Sequence, residues 1–134
     1  MTAGILGFLQ GYEGLQGLQV DCVPEQAGFS LSTVAGEPLL TRYLDGTEKR
    51  KLQFSLLGRM GYGQDAAAQQ ESIRWFSDFE GWLRRQSLRS LDLGEGRRAL
   101  SFAMTTAPAV EDIGENGLCC WGATLELVYL QQQI

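Results

Sequence analysis

Residues 39–44 (LLTRYL) and 51–57 (KLQFSLL) flank an Asp45-Gly46 pair, and this arrangement constrains the fold more than any other stretch. In the second run Leu52, Phe54 and Leu56 alternate with Lys51, Gln53 and Ser55. A period of two marks a strand with one buried face. Asp-Gly between two such runs signals a tight turn, because glycine takes positive φ without steric cost. Residues 39–57 are therefore predicted to form an antiparallel hairpin. Lys49, Arg50 and Lys51 follow the turn and are three of the chain's eleven basic side chains. On a strand Lys49 and Lys51 share one face and Arg50 takes the other, so the run is not one continuous patch. Glu48 partly offsets it. Lysines on a strand discourage uncontrolled edge pairing, and they also set register against an acidic neighbour.

The remaining elements read in the same way. Ile5, Leu6, Phe8, Leu9, Tyr12 and Leu15 recur at near-helical spacing and predict a short N-terminal helix over 4–15. Its four glycines each cost about 1 kcal/mol relative to alanine where they are interior, so this helix needs docking to be stable. Strands are predicted at 18–23 and 29–34. Gly58 to Gly63 (GRMGYG) reads as a strand-to-helix turn. One long amphipathic helix follows over about 64–86. Trp82, Trp75, Ala68, Phe79, Leu83, Phe76 and Ile73 form its apolar arc, with Arg84 and Arg85 complementing the macrodipole at its C-terminal end. Leu100, Phe102 and Met104 predict another strand, and 118–131 the last one. Residues 108–117 (PAVEDIGENG) read as an acidic, turn-rich loop. The sum is a single α+β domain over 1–134. Its mostly antiparallel sheet has about five or six strands, packed by the long helix, with the shorter helix at the N-terminus.

Composition excludes several functions. At 134 residues the chain can bury a core without metals or disulfides. It contains no histidine, which removes Ser-His and Cys-His nucleophile pairs. Cys22, Cys119 and Cys120 make a poor disulfide framework, and adjacent strand residues point to opposite faces rather than sharing a ligand. No apolar run reaches the roughly 18 residues of a membrane span, and the N-terminus lacks the basic region of a signal peptide, so an intracellular protein is expected. A net charge of −5 argues against wrapping nucleic acid.

Few residues remain as candidates for chemistry. Glu111, Asp112 and Glu115 offer hard oxygen ligands, but their spacing departs from the EF-hand pattern, and a solvated loop outweighs a metal site. The glycines of 58–63 match neither the Walker nor the dinucleotide pattern. Trp75 and Trp82 lie towards one margin of the helical arc, where an aromatic side chain can meet a neighbouring subunit. No nucleophile, base and oxyanion hole assemble. The residues alone indicate a non-enzymatic domain without cofactor or metal. The competing reading is a small-molecule-binding α+β domain whose helix and sheet enclose a ligand.

The order of elements carries a resemblance. The segment VPEQAGFSLSTVAGEPLLTRYLDGTEKRKLQFSLLGRMGYG, the helix with IRWFSDFEGWLRRQS and the ending LELVYLQQ together resemble the tail terminator, or tail-completion, family. These small phage proteins, also described as minor capsid proteins, belong to long-tailed phages and prophages of Gram-positive bacteria. The matched features are Gly-Glu-Pro before Arg42-Tyr43-Leu44-Asp45-Gly46, the Phe54 strand, Tyr62, the Phe76-Trp82-Leu83 helix and Tyr129-Leu130-Gln131. They span about Leu18 to Gln132. The resemblance implies an α+β protein, typically a ring of six copies, that caps the finished tail tube and joins it to the head in the host bacterial cytoplasm. Its partners would be other copies, the tube protein and head–tail connector proteins, with no membrane involved. DNA would pass through the lumen unbound. A different head–tail joining or neck protein is the nearest alternative. On this reading Arg42, Lys49, Arg50, Trp75 and Trp82 are candidate subunit or tube contacts, and Glu111, Asp112 and Glu115 a lumen or ring-surface acidic loop.

Overall fold

The computed structural model describes residues 2–12, 15, 18–20, 28–34, 38–62, 66–106, 108–113 and 118–132. In chain order the elements are α1 (Thr2–Leu9), β1 (Gln19–Val20), β2 (Gly28–Val34), β3 (Leu39–Arg42), β4 (Glu48–Tyr62), α2 (Ala66–Arg85), a 3-10 turn (Leu88–Ser90), β5 (Arg97–Met104), β6 (Ala109–Ile113) and β7 (Leu118–Gln131). The architecture is α+β. Among the described residues all seven strands join one sheet, which follows the order β1-β2-β4-β7-β5. Every pairing is antiparallel except β1 with β2.

Two long central strands explain why seven strands occupy only five columns, where about five or six strands were predicted. β4 and β7 pair from Glu48–Gln131 to Tyr62–Leu118. Along the outer side of β4, β3 pairs with residues 48–50 and β2 with residues 53–59. Along the outer side of β7, β5 pairs with residues 125–131 and β6 with residues 119–122. The step between β5 and β6 is stitched by Thr105 N–H to Thr124 O at 2.8 Å and by Thr124 N–H to Thr106 Oγ1 at 2.9 Å.

Alternation assigns one face of this sheet to the helices. Phe54 and Leu56 on β4, Leu31 on β2, Phe102 on β5 and Trp121, Ala123, Leu125, Leu127 and Tyr129 on β7 are all buried there. Ile5 and Leu9 of α1, Phe76, Phe79 and Leu83 of α2, and Leu91 and Leu93 close the same core. Each large side chain contributes roughly 1.5–3 kcal/mol on full burial.

Several boundaries differ from the sequence prediction, each for a local reason. The predicted 4–15 helix is α-helical only over Thr2–Leu9. Beyond it Tyr12 N–H donates to Leu9 O, Leu15 N–H to Tyr12 O and Leu18 N–H to Leu15 O, and Leu15 and Leu18 lie in the core. Residues 58–62, predicted as a turn, continue β4, because β7 offers backbone partners as far as Leu118. Gly58 stands in the row between Phe29 and Trp121, where a missing side chain leaves room for two rings. Leu100 is predicted to face the core but occupies a bulge between Ala99 and Ser101 and is exposed. Ile73, predicted in the apolar arc of α2, is 48% exposed. The predicted strand at 18–23 is described only as Gln19–Val20. Asp65, whose negative charge suits the N-terminal end of the predicted 64–86 helix, lies outside the described residues.

Candidate functional site

In the β3–β4 hairpin, β3 ends at Arg42, two residues before the predicted strand end at Leu44. Tyr43 N–H donates to Thr47 O at 2.8 Å and Gly46 N–H to Tyr43 O at 3.0 Å. Gly46 has φ 88, the left-handed region in which a side chain would be strained. Thr47 N–H donates to Asp45 Oδ1 at 2.9 Å, and this bond holds the Asp45 carboxyl below its ordinary value of 3.8. Leu44, predicted as a strand residue, stands at the tip fully exposed, with Leu40 and Tyr43 also exposed nearby.

Beyond this turn the basic run lies inside β4, and pairing sorts its members onto two faces. Arg50 shares the helix-side face with Leu52 and Phe54 and lies opposite Tyr129. Glu48 occupies the same face. Its carboxylate accepts from Arg42 Nη2 at 2.7 Å and lies 3.8 Å from Arg50 Nε. Arg50 Nε is buried without a hydrogen-bond acceptor. Arg97 donates to Leu93 O at 3.2 Å. On the open face Lys49 lies beside Leu130, and Leu130 lies beside Arg98. Lys51 lies beside Val128, one row further in. Six of the eleven basic residues, Arg42, Lys49, Arg50, Lys51, Arg97 and Arg98, thus collect at one end of the sheet. A cleft of about 410 Å³ opens there between Thr47, Gly96, Arg97, Arg98, Leu130 and Gln132.

Trp75 and Trp82, predicted as interface candidates, find their partners within the chain. Trp75 stacks on Phe29 at 4.3 Å between centroids and on Phe79 at 5.6 Å. Tyr12 meets Trp75, Phe79 and Trp82 edge-on at 5.7, 5.4 and 5.3 Å. Phe8 packs on Trp82 at 5.9 Å and on Phe102 at 6.1 Å. The aromatic margin of α2 is therefore largely covered by α1 and the turn after it, and both tryptophans are half-buried. Sequence reading missed this because the glycines of residues 4–14 weaken the signal of the segment that does the covering.

The acidic segment also differs from its prediction as a loop. Residues 109–113 form β6, with Asp112 in register with Cys120 and Ile113 with Cys119. The free edge of β7 at residues 119–122 supplies the pairing, and Pro108, which has no N–H to donate, precedes the strand. Glu111 and Asp112 therefore hold strand positions at the sheet end opposite the basic one, while Glu115 lies outside the described residues. Cys119 and Cys120 are consecutive in β7. Among the described residues no three Cys, Asp or Glu groups are placed to hold a metal ion, and no helix is long and apolar enough to cross a membrane. Neither protein-family models nor curated proteins give a match to this sequence.

Proposed function

We propose that this chain is a non-enzymatic structural protein of a tailed phage or prophage, a tail terminator whose copies form a ring. In this reading the ring, typically of six copies, caps the finished tail tube and joins it to the head. Assembly takes place in the host cytoplasm and ends in the virion, with no cofactor and no membrane. α2 serves as the one long helix laid across the sheet, and α1 as its short companion.

The observation that carries the reading is where the resembling residues stand. Asp45 and Gly46 form the hairpin turn, and Phe54, Phe76, Leu83 and Tyr129 lie in the core. These matched residues build the scaffold, while the matched Arg42, Tyr43 and Leu44 stand exposed beside the turn. Cyclic, heterologous contacts between identical subunits would stop growth at one closed ring. DNA would pass through a lumen kept free of phosphate-binding cations, with Glu111, Asp112 and Glu115 on the lumen or a ring surface.

Mass measurement by light scattering across a concentration series, with and without purified tail tubes, tests the reading. Negative-stain images should show annuli, free or seated on tube ends. A chain that stays monomeric and never binds tubes overturns it.

A further inference from the structure

The basic end of the sheet treats its two faces differently. On the helix side the cations are engaged within the chain, Arg42 and Arg50 with Glu48 and Arg97 with the Leu93 carbonyl. On the open side the side chains of Lys49, Lys51 and Arg98 have no hydrogen bond or ion pair to any described residue. The carboxylate that shares this face on β7, Glu126, is held by Gln53 Nε2 at 3.4 Å. The three cations frame half-buried Leu130 and Val128 on adjacent strands, and Lys49 and Arg98 stand about 10 Å apart across β7.

The chain's own acidic strand cannot reach this patch. Asp112 pairs at Cys120, and ten residues of β7 separate Cys120 from Leu130, a span of about 33 Å. The Debye length at physiological salt is about 8 Å, so the two ends do not neutralise each other within one molecule. Arg59 of β4 also pairs at Cys120, so among the described residues the β6 end carries Glu111, Asp112 and Arg59 in sequence.

We propose that the open-face patch of Lys49, Lys51 and Arg98 around Leu130 and Val128 docks on a second copy of this chain at its acidic strand β6, the strand that carries Glu111 and Asp112 in sequence. The inference rests on the ring reading and names the contact that would close the ring. Each copy carries both halves at opposite ends, so the contact is head-to-tail, the heterologous kind that closes rings. Two features favour a protein partner over nucleic acid. Apolar Leu130 and Val128 sit between the cations, and the chain as a whole is net −5, which repels a polyanion at long range.

A charge swap provides the test. Variant one carries Lys49→Glu, Lys51→Glu and Arg98→Glu, and variant two carries Glu111→Lys and Asp112→Lys. Wild type should associate with an apparent Kd that weakens about tenfold or more between 0.05 and 0.3 M salt. Each variant alone should lose association by at least about tenfold, and an equimolar mixture should regain it, because the swapped ends again meet opposite charges. Circular dichroism checks folding, and glutamine versions at the three basic positions replace variant one if it fails to fold. Wild-type association with no effect of either variant, or no recovery in the mixture, overturns this contact and leaves the ring standing. Binding of wild type to a 30-nucleotide DNA that variant one abolishes, with association unchanged, makes the patch a nucleic-acid surface and also overturns it. A wild type that is monomeric at every concentration and on tubes overturns ring and contact together.

Discussion

Helix α1 rests directly on backbone: a Cβ placed on Gly4 would lie 1.8 Å from the carbonyl oxygen of Asp92. Gly7, one turn later on the same helix, has nothing within 4 Å of its would-be Cβ. The two glycines therefore predict opposite responses. Gly4→Ala should destabilise by about 1–3 kcal/mol, since α1 or the 88–93 segment must shift. Gly7→Ala should stabilise by about 0.4–1 kcal/mol through helix propensity and the unfolded state. Urea titrations of both variants check the pair.

Phe54 is buried between β2 and β7 and faces Phe102 at 6.3 Å between centroids. Phe54→Ala should cost about 3–5 kcal/mol, transfer and cavity together. Thermal unfolding followed by circular dichroism measures it, and a loss under 1 kcal/mol would contradict the placement of this side chain.

Arg50 has its Nε buried without an acceptor, beside Tyr129 and above Leu52. Replacing it with methionine should be neutral or stabilising, because a poorly satisfied cation gives way to an apolar chain of similar length. Arg50→Glu should instead destabilise, since it sets a second carboxylate beside Glu48. Any assembly defect of that variant would then reflect folding, which is why the charge reversals that test association use Lys49, Lys51 and Arg98.

At the hairpin tip the Thr47 N–H holds the Asp45 carboxyl below 3.8. A depressed folded-state value means the bond's contribution is present above the unfolded value and is lost as pH falls through the folded one. Residues 43–47 should therefore keep their native chemical shifts at pH 5 and lose them only as the pH falls below the carboxyl's ordinary value of 3.8. A two-dimensional NMR titration of the Asp45 side chain, with Asp45→Ala as control, reads this directly.

Leu44 contacts nothing at its tip, so Leu44→Ser should change stability by no more than about 0.5 kcal/mol. Calorimetry checks it, and a larger loss would mean the turn is packed in solution.

What could be read in the sequence was the side-chain period. Leu52, Phe54 and Leu56 set the buried face of β4, and Trp121, Leu125, Leu127 and Tyr129 that of β7, as their alternation requires. Features that depend on a distant partner were not legible. β6 exists because β7 has a free edge at residues 119–122, and the bulge at Leu100 shifts β5 out of its written phase. Leu91 and Leu93 are core residues without a repeating pattern to announce them. For the candidate site, the split of Lys49 and Lys51 from Arg50 followed from alternation alone. Arg98 joined the lysines only through Leu130, a neighbour far away in sequence.

The central pairing of β4 with β7 has a consequence for biosynthesis. Its nearest partners in sequence, Tyr62 and Leu118, are separated by α2, the 3-10 turn, β5 and β6. Among the described residues β5 and β6 pair only with β7. A nascent chain can close the β3–β4 hairpin and add β2 while still on the ribosome, but the column that completes both halves of the sheet has yet to emerge. One edge of β4 must therefore wait without its main pairing partner until β7 is released. Long-range pairing of this kind is slow and leaves intermediates open to aggregation. The yield of folded protein should then depend on synthesis rate and chaperone supply more steeply than native stability alone would suggest.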